Sequence, residues 1–460
     1  MSMSDPTPFW LKGNLAPVDT EHTLTALEIS GAIPPELNGR FLRNGPNPPS
    51  GTSAHWFLGH GMVHGIELRA GHATWYRNRY VRTPLYSNPD APRVDPEGTV
   101  DRRCSLANTH VISHAGKIMA LEEASFPWLL SNELETIGFH DFGGRLTTGM
   151  TAHPRICPVT GELLFFGYHA VPPYLTYHRV AADGTLVQSE EIDVRGPTMM
   201  HDWNVTRDSV IFMDLPLVFD LSLLTEESLR LGTPPLRWDQ HYGARLGVMP
   251  RNGNNSNVTW YEIEPCYVFH ALNAYEDGAH IVLDVARFPN VILDETSFPR
   301  TGFGPGESGV QPAVLHRWTI DRTAGTVRGQ QLDDRPAEFP RVADEVVGLR
   351  HRYGYMMATT SPTLGHFGQE LYKYDLRDGR NWTYRLHDGE TAGEPTFARV
   401  GQGEDEGFIL TFVYDRKRDA SDLIIIDATA FERGPIARVH LPCRVPEGFH
   451  SSWIPQVMSG

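Results

Sequence analysis

Val, Ile, Tyr, Phe and Thr recur in short runs along the whole chain, and the runs break at Gly or Asp-Gly. Examples are Thr160-Gly161-Glu162-Leu163-Leu164-Phe165-Phe166, Asp183-Gly184-Thr185-Leu186-Val187 and Asp388-Gly389. β-branched and aromatic side chains suit a pleated, half-buried surface, and Asp-Gly supplies the backbone of a tight turn, so each unit predicts a hairpin. The same pattern predicts a strand from Leu371, a turn at Asp378-Gly379 and a return strand from Trp382 to Leu386. Leu423-Ile424-Ile425-Ile426 is short enough to be a fully buried strand. Helices are predicted only over Leu129 to Thr136 and Glu226 to Leu231.

Many hairpins without alternating helices predict an all-β fold. If a four-stranded blade with its loops takes roughly 50 to 60 residues, the length allows about seven blades of a β-propeller. A pair of β-sandwiches would use the same strands. The Pro-rich opening through Pro49 and the run Gly302-Phe303-Gly304-Pro305-Gly306 read as an arm and a loop rather than linkers. The expectation is therefore a single domain over 1–460, with 1–40 as N-terminal arm and first strands.

Composition narrows the partners. The chain carries 40 basic against 56 acidic residues, a net charge of -16, whereas binding a polyanion requires a concentrated basic surface. Nucleic acid is thereby excluded as the expected partner. The N-terminus has no basic region followed by an apolar stretch, and no apolar run reaches the roughly 18 residues that span a bilayer; cytoplasmic residence is expected. Cys104, Cys157, Cys266 and Cys443 are dispersed without a CxxC pair, as expected of reduced, mostly buried thiols.

Local motifs for catalysis are mostly missing. His110 and His114 are four apart, but Val111 and Ile112 between them favour a strand, on which four residues span roughly 13 Å, too far to share an ion. HExxH and GxSxG do not occur, and the Gly-rich segment after Gly302 lacks the Gly-Lys-Ser/Thr ending of a phosphate loop. What remains is four histidines in distinctive settings: Thr151-Ala152-His153-Pro154, Met200-His201-Asp202, Phe269-His270-Ala271 and Gly448-Phe449-His450. Turn residues or aromatics flank each, as at strand ends entering a central channel, where distant ligands can meet.

These four settings, in this order, resemble the iron-ligand motifs of the carotenoid cleavage oxygenase family. The segment Phe41-Leu42-Arg43-Asn44-Gly45-Pro46-Asn47-Pro48, followed by His55-Trp56-Phe57 and Gly61-Met62-Val63-His64-Gly65, resembles the family's N-terminal signature. The resemblance runs from about Phe41 to the C-terminus. It implies a seven-bladed β-propeller with a loop and helix dome over the iron-bearing face. It further implies Fe(2+) held by His153, His201, His270 and His450, with Glu123, Glu338 and Glu394 behind them, and Thr109 crowding a vacant coordination position. A histidine ligand usually passes its other N–H to a carboxylate, which fixes its tautomer. Three carboxylates would also offset the charge of a buried divalent ion. Nitrogen ligands alone suit several metals, so the choice of iron comes from the resemblance.

The implied reaction is cleavage of a carbon-carbon double bond of a carotenoid or apocarotenoid by dioxygen, giving aldehyde or ketone products. The partners are then a small hydrophobic alkene and O2. Phe126, Trp128, Tyr275 and Phe303 are candidate tunnel-lining residues, and Phe126-Pro127-Trp128-Leu129-Leu130 is a candidate apolar patch for peripheral membrane contact. Two features depart from the family: Leu58-Gly59-His60 replaces a common Asp-Gly-Asp, and Glu122 stands where carotenoid-type members carry an aromatic residue and stilbene cleavers a lysine. An acidic residue there would not stabilise a phenolate. Cleavage of an aryl alkene is the second reading, a non-catalytic propeller the third, and isomerohydrolase chemistry ranks below them.

Overall fold

In the computed structural model the described residues are 7–95, 99–231, 233–291, 311–360 and 367–456. They form seven antiparallel sheets of four to six strands, with one two-stranded ribbon, Leu217–Phe219 against Leu236–Trp238. The seven sheets are the blades of a propeller, which settles the choice against paired sandwiches. Four of the sheets are meanders in strict chain order: Leu163–Tyr168, Leu175–Val180 and Leu186–Glu191, for example, pair in turn. The turns fall where Gly predicted them, with Gly161 and Gly184 at φ 70° and 89°. Phe367–Asp375 and Arg380–Arg385 make the predicted hairpin around Gly379.

Seven strands at sheet edges face the centre: His110–His114, Arg155–Ile156, Asn204–Val205, Tyr267–Asp277, Ala337–Arg341, Thr396–Arg399 and Ser451–Pro455. Neighbours in this ring pack against one another, as Asn204–Val205 does with Tyr267–Asp277 and Ser451–Pro455 with His110–His114. The ring closes because the last strand, Ser451–Pro455, joins the sheet built from the N-terminal strands and pairs with Gly39–Pro46. Glu28–Gly31 likewise completes the sheet of Pro435–His440. Cores lie between blades: Leu423 and Ile425 point into one cluster, Ile424 and Ile426 into the next. That alternation is the period of two of a strand buried on both faces.

Two expectations fail. Glu226–Leu231 is a helix, but Leu129 to Thr136 is not. Trp128–Leu130 and Thr136–Phe139 are paired strands joined by a turn in which Ser131 N–H donates to Glu135 O and Leu134 takes φ 68°. Pairing with Lys117–Leu121 outweighs the weak helical spacing, and Leu134 is fully buried under the turn. The same pairing disposes of the proposed apolar patch: Trp128 and Leu130 are only 7% and 4% exposed, packed with Ile118 and Ala120. No helix among the described residues is long and apolar enough to cross a membrane.

Candidate metal centre

The four histidines come together at the middle of the ring. His153 and His201 stand just before the inner strands of two adjacent blades, His270 lies within Tyr267–Asp277, and His450 immediately precedes Ser451–Pro455. Four potential ligand atoms, one from each ring, lie within 4.8 Å of one another. The Nε2 atoms of His153 and His201 are 3.0 Å apart, and those of His201 and His270 3.4 Å.

Each predicted glutamate lies behind one of these rings. His201 Nδ1 meets Glu123 Oε1, His270 Nδ1 is 2.5 Å from Glu338 Oε2, and His450 Nδ1 is 3.0 Å from Glu394 Oε1. Glu338 also accepts from Phe339 N–H, and Glu394 from Ser451 N–H. Glu123 sits in the connection after Lys117–Leu121 and also accepts the Tyr168 hydroxyl. His153 is fixed through its main chain: its N–H donates to Thr151 Oγ1 at 3.1 Å and its carbonyl accepts Trp203 Nε1–H at 3.0 Å.

This pattern fits a cation. In a neutral ring an Nδ1–H donated to a carboxylate leaves a lone pair on Nε2, so neutral His201 and His270 would present Nε2 lone pairs to each other across 3.4 Å, with His153 Nε2 3.0 Å from that of His201. Such lone pairs repel unless a cation sits between them. Burial, reinforced by the neighbouring imidazoles, pushes His153 and His450 well below the usual histidine range, so both are neutral and able to ligate. Burial acts the same way on His270, but the charge and hydrogen bond of Glu338 outweigh it and hold His270 above its ordinary value.

The centre opens onto a cavity of about 310 Å³ lined largely by apolar side chains, among them Trp56, Phe57, Phe219, Phe269, Phe339 and Phe449. Thr109 lines it too; its hydroxyl donates to Asn108 Oδ1 at 3.0 Å, and its carbonyl accepts His450 N–H at 3.1 Å. Of the predicted lining residues, Phe126, Trp128 and Tyr275 are elsewhere. Phe126 stacks on Phe139, Trp128 belongs to a core between blades, and Tyr275 packs on His351. Phe303 lies outside the described residues.

The chain matches the model of the retinal pigment epithelial membrane protein family over residues 15–455. It is 38% identical to a carotenoid cleavage oxygenase of Mycobacterium tuberculosis, covering 97% of each chain. The chain belongs to the carotenoid cleavage oxygenase family. This oxygenase is also 30% identical to isoeugenol monooxygenase of Pseudomonas nitroreducens, over 97% of this chain and 98% of that protein. Among solved structures it is similar to the lignostilbene dioxygenase of Pseudomonas brassicacearum, with TM-score 0.86 and 28% identity over 98% and 100% of the two chains. It is likewise similar to a cobalt-substituted Synechocystis apocarotenoid oxygenase, with TM-score 0.84 and 26% identity over 96% and 97%.

Several groups of the oxygenase escaped sequence reasoning. Tyr168, bonded to Glu123, and Phe339, whose ring lies 4.9 Å from His270 and 5.3 Å from His450, have no local signature as cavity residues. Phe339 carried one readable signal: it sits between Glu338 and Pro340. Its φ of 52° is a conformation that a bulky residue adopts only under constraint.

Proposed function

We propose that this chain is a non-haem Fe(2+) dioxygenase that splits a carbon-carbon double bond of a carotenoid or apocarotenoid into two carbonyl fragments. The observation that carries the reading is the convergence of four imidazoles, three backed by carboxylates, at one end of an apolar cavity. His153, His201, His270 and His450 would hold the ion as neutral nitrogen ligands, with Glu123, Glu338 and Glu394 fixing three of the rings. When bound, ferrous iron supplies the activation of dioxygen, whose two atoms end in the two carbonyl products. The side chains do the rest: aromatic walls exclude water and align the alkene, and Thr109 limits the space beside the centre. Fixed ligands on separate blades keep the reacting atoms in register, a precision on which rates depend steeply.

Glu122 bears on the substrate. Its Oε2 accepts from Ser105 Oγ and Leu106 N at 2.8 Å and from Ser125 Oγ at 3.0 Å, so a carboxylate is built into the cavity wall. Its Oε1 lies 3.5 Å from Arg93 Nη1, and the group itself offers a phenolate no hydrogen-bond donor. The aryl-alkene reading is kept because relatives named for isoeugenol and lignostilbene share the fold and most of the chain.

A polyene dissolved in lipid must be drawn from a membrane, and an apolar edge suits that task. Leu221, Leu223 and Leu224 are 46%, 40% and 43% exposed. They follow directly on the strand Leu217–Phe219, whose Leu217 and Phe219 line the cavity. Peripheral membrane contact through these leucines, rather than through Phe126 to Leu130, is part of the proposal.

The test is mass spectrometry of products after iron-loaded protein meets apocarotenals, stilbenes and phenylpropenoids under labelled dioxygen. Labelled polyene-derived aldehydes are expected. Products from aryl alkenes alone would move the enzyme to the second reading. No product, no iron after anaerobic reconstitution and unchanged stability on His201→Ala would leave a non-catalytic propeller.

A further inference from the structure

Beside three of the four histidines the chain places members of one buried polar network. Arg155 is two residues after His153, Asp202 directly follows His201, and Ala271 directly follows His270. Asp202 is only 2% exposed, yet its carboxylate has four hydrogen bonds. Both oxygens accept from Arg155 Nη2 at 2.8 Å, Oδ1 accepts Trp203 N–H at 2.7 Å, and Oδ2 accepts Ala271 N–H at 2.7 Å. Arg155 Nη2 also reaches the carbonyls of Trp203 at 3.0 Å and Ala271 at 3.4 Å. The circuit closes where Trp203 Nε1–H donates to the His153 carbonyl at 3.0 Å.

These bonds cross blades. Arg155–Ile156, Asn204–Val205 and Tyr267–Asp277 are inner strands of three different sheets, and no backbone ladder joins one to another. The register of Tyr267–Asp277 against its neighbour slips on both sides of Ala271, and the Ala271 amide is given to Asp202. Bulges re-aim side chains and free backbone groups; here the irregularity lies at His270. His450 is outside this circuit. It is served separately by Arg341, which is 3.6 Å from Glu394 Oε1 and donates to the Ser451 carbonyl at 3.3 Å.

We propose that Arg155 and Asp202 are positioning residues that set the mutual distances of His153, His201 and His270, and with them the affinity and geometry of the metal centre. A buried ion pair adds little net stability over apolar packing, but this one joins the segments beside three candidate ligands with short, charge-assisted bonds, and the Trp203 indole adds a tie to the His153 carbonyl. The inference rests on the four-histidine reading of the centre, and the experiment separates the two.

Cobalt(II) is titrated into the metal-free full-length protein, wild type and Asp202→Asn, following the visible ligand-field spectrum and the dissociation constant by chelator competition. Circular dichroism and the melting temperature of the apo forms are recorded alongside. Binding by wild type but not by His201→Ala is the check on the centre itself; without it the four-histidine reading fails, and this proposal with it. Given that check, Asp202→Asn is expected to keep the β-sheet spectrum, to bind cobalt about 10 to 100 times more weakly and to shift the ligand-field bands. If Asp202→Asn does not fold, Arg155→Lys decides: it keeps the charge but lacks the guanidinium's planar set of donors, so a weaker, shifted cobalt complex is again expected. An affinity within about twofold of wild type and a superimposable spectrum, in whichever variant folds, would overturn the proposal. A lower apo melting temperature with an unchanged cobalt complex would do the same, leaving the pair a merely structural one.

Discussion

Single residues at the centre serve two masters at once, and substitutions there separate the roles. Glu338 Oε2 accepts both His270 Nδ1–H and Phe339 N–H at 2.5 Å. Glu338→Gln keeps the shape but removes the charge that favours a proton on Nδ1, and is expected to weaken metal binding by about 10 to 100-fold; competition with a chelator measures it. His178 is one of several buried histidines that bear on acid stability. His178 is fully buried between Thr148 Oγ1 at 2.7 Å and Ser189 Oγ at 2.8 Å, and burial pushes it down to about 3. Between its ordinary value of 6.5 and about 3, the unfolded chain takes up a proton there and the native one does not. His178 therefore contributes full stability above pH about 6.5 and loses it as pH falls toward 3, by about 1.4 kcal/mol per pH unit. Urea unfolding at pH 7 and pH 5 should show in wild type a loss to which the other buried histidines add, and His178→Asn, whatever its overall stability, should flatten the slope by the share of His178 alone.

At the scale of elements, the segment that leads into the closing strand carries His450. Asn44 N–H donates to the His450 carbonyl and Phe449 N–H to the Asn44 carbonyl, at 3.1 Å and 2.9 Å. The two backbones come so close that a Cβ on Gly45 would stand 2.6 Å from Gly448 Cα. Gly45→Ala must push the segment that holds His450. It is expected to cost about 1 to 3 kcal/mol and also to lower bound metal per chain. Chemical denaturation and metal analysis read the two effects, and full metal content in a destabilised variant would show that the segment gives way without moving the ligand. The failed helix over Leu129 to Thr136 belongs to this scale as well. The strand Lys117–Leu121 offered Trp128 and Leu130 a pairing partner and one shared buried face.

For the molecule as a whole, the candidate ligands stand on different blades, so metal binding at the proposed centre would be tied to folding. An ion held by the native ring and not by the unfolded chain adds stability as RT ln(1 + [L]/Kd), about 4 kcal/mol at a thousandfold excess over Kd. Removing it with a chelator should lower the melting temperature by several degrees; calorimetry with and without chelator is the check, and an unchanged transition would mean that the native ring does not bind the ion preferentially. The apolar edge after Phe219 acts at this scale too. Changing Leu221, Leu223 and Leu224 together to Ser is expected to reduce co-sedimentation with neutral phosphatidylcholine vesicles while leaving turnover of a detergent-solubilised substrate intact. Equal sedimentation of variant and wild type would remove those leucines from the proposed membrane contact.

Turn chemistry and the period of two are local, so the sequence alone determined the hairpins at Gly161, Gly184 and Gly379, the buried run Leu423 to Ile426, and the all-β class. The resemblance of their motif settings to the family's also singled out His153, His201, His270 and His450 as a set, together with Glu123, Glu338 and Glu394. Only the tertiary structure decided which glutamate stands behind which ring, because that depends on the order of blades around the axis. It likewise decided that Tyr168 and Phe339 face the cavity while Trp128 and Tyr275 do not, and that Asp202 reaches Ala271. Those contacts join residues on different sheets, and a strand's own sequence records which of its faces is apolar but not which neighbour will cover it.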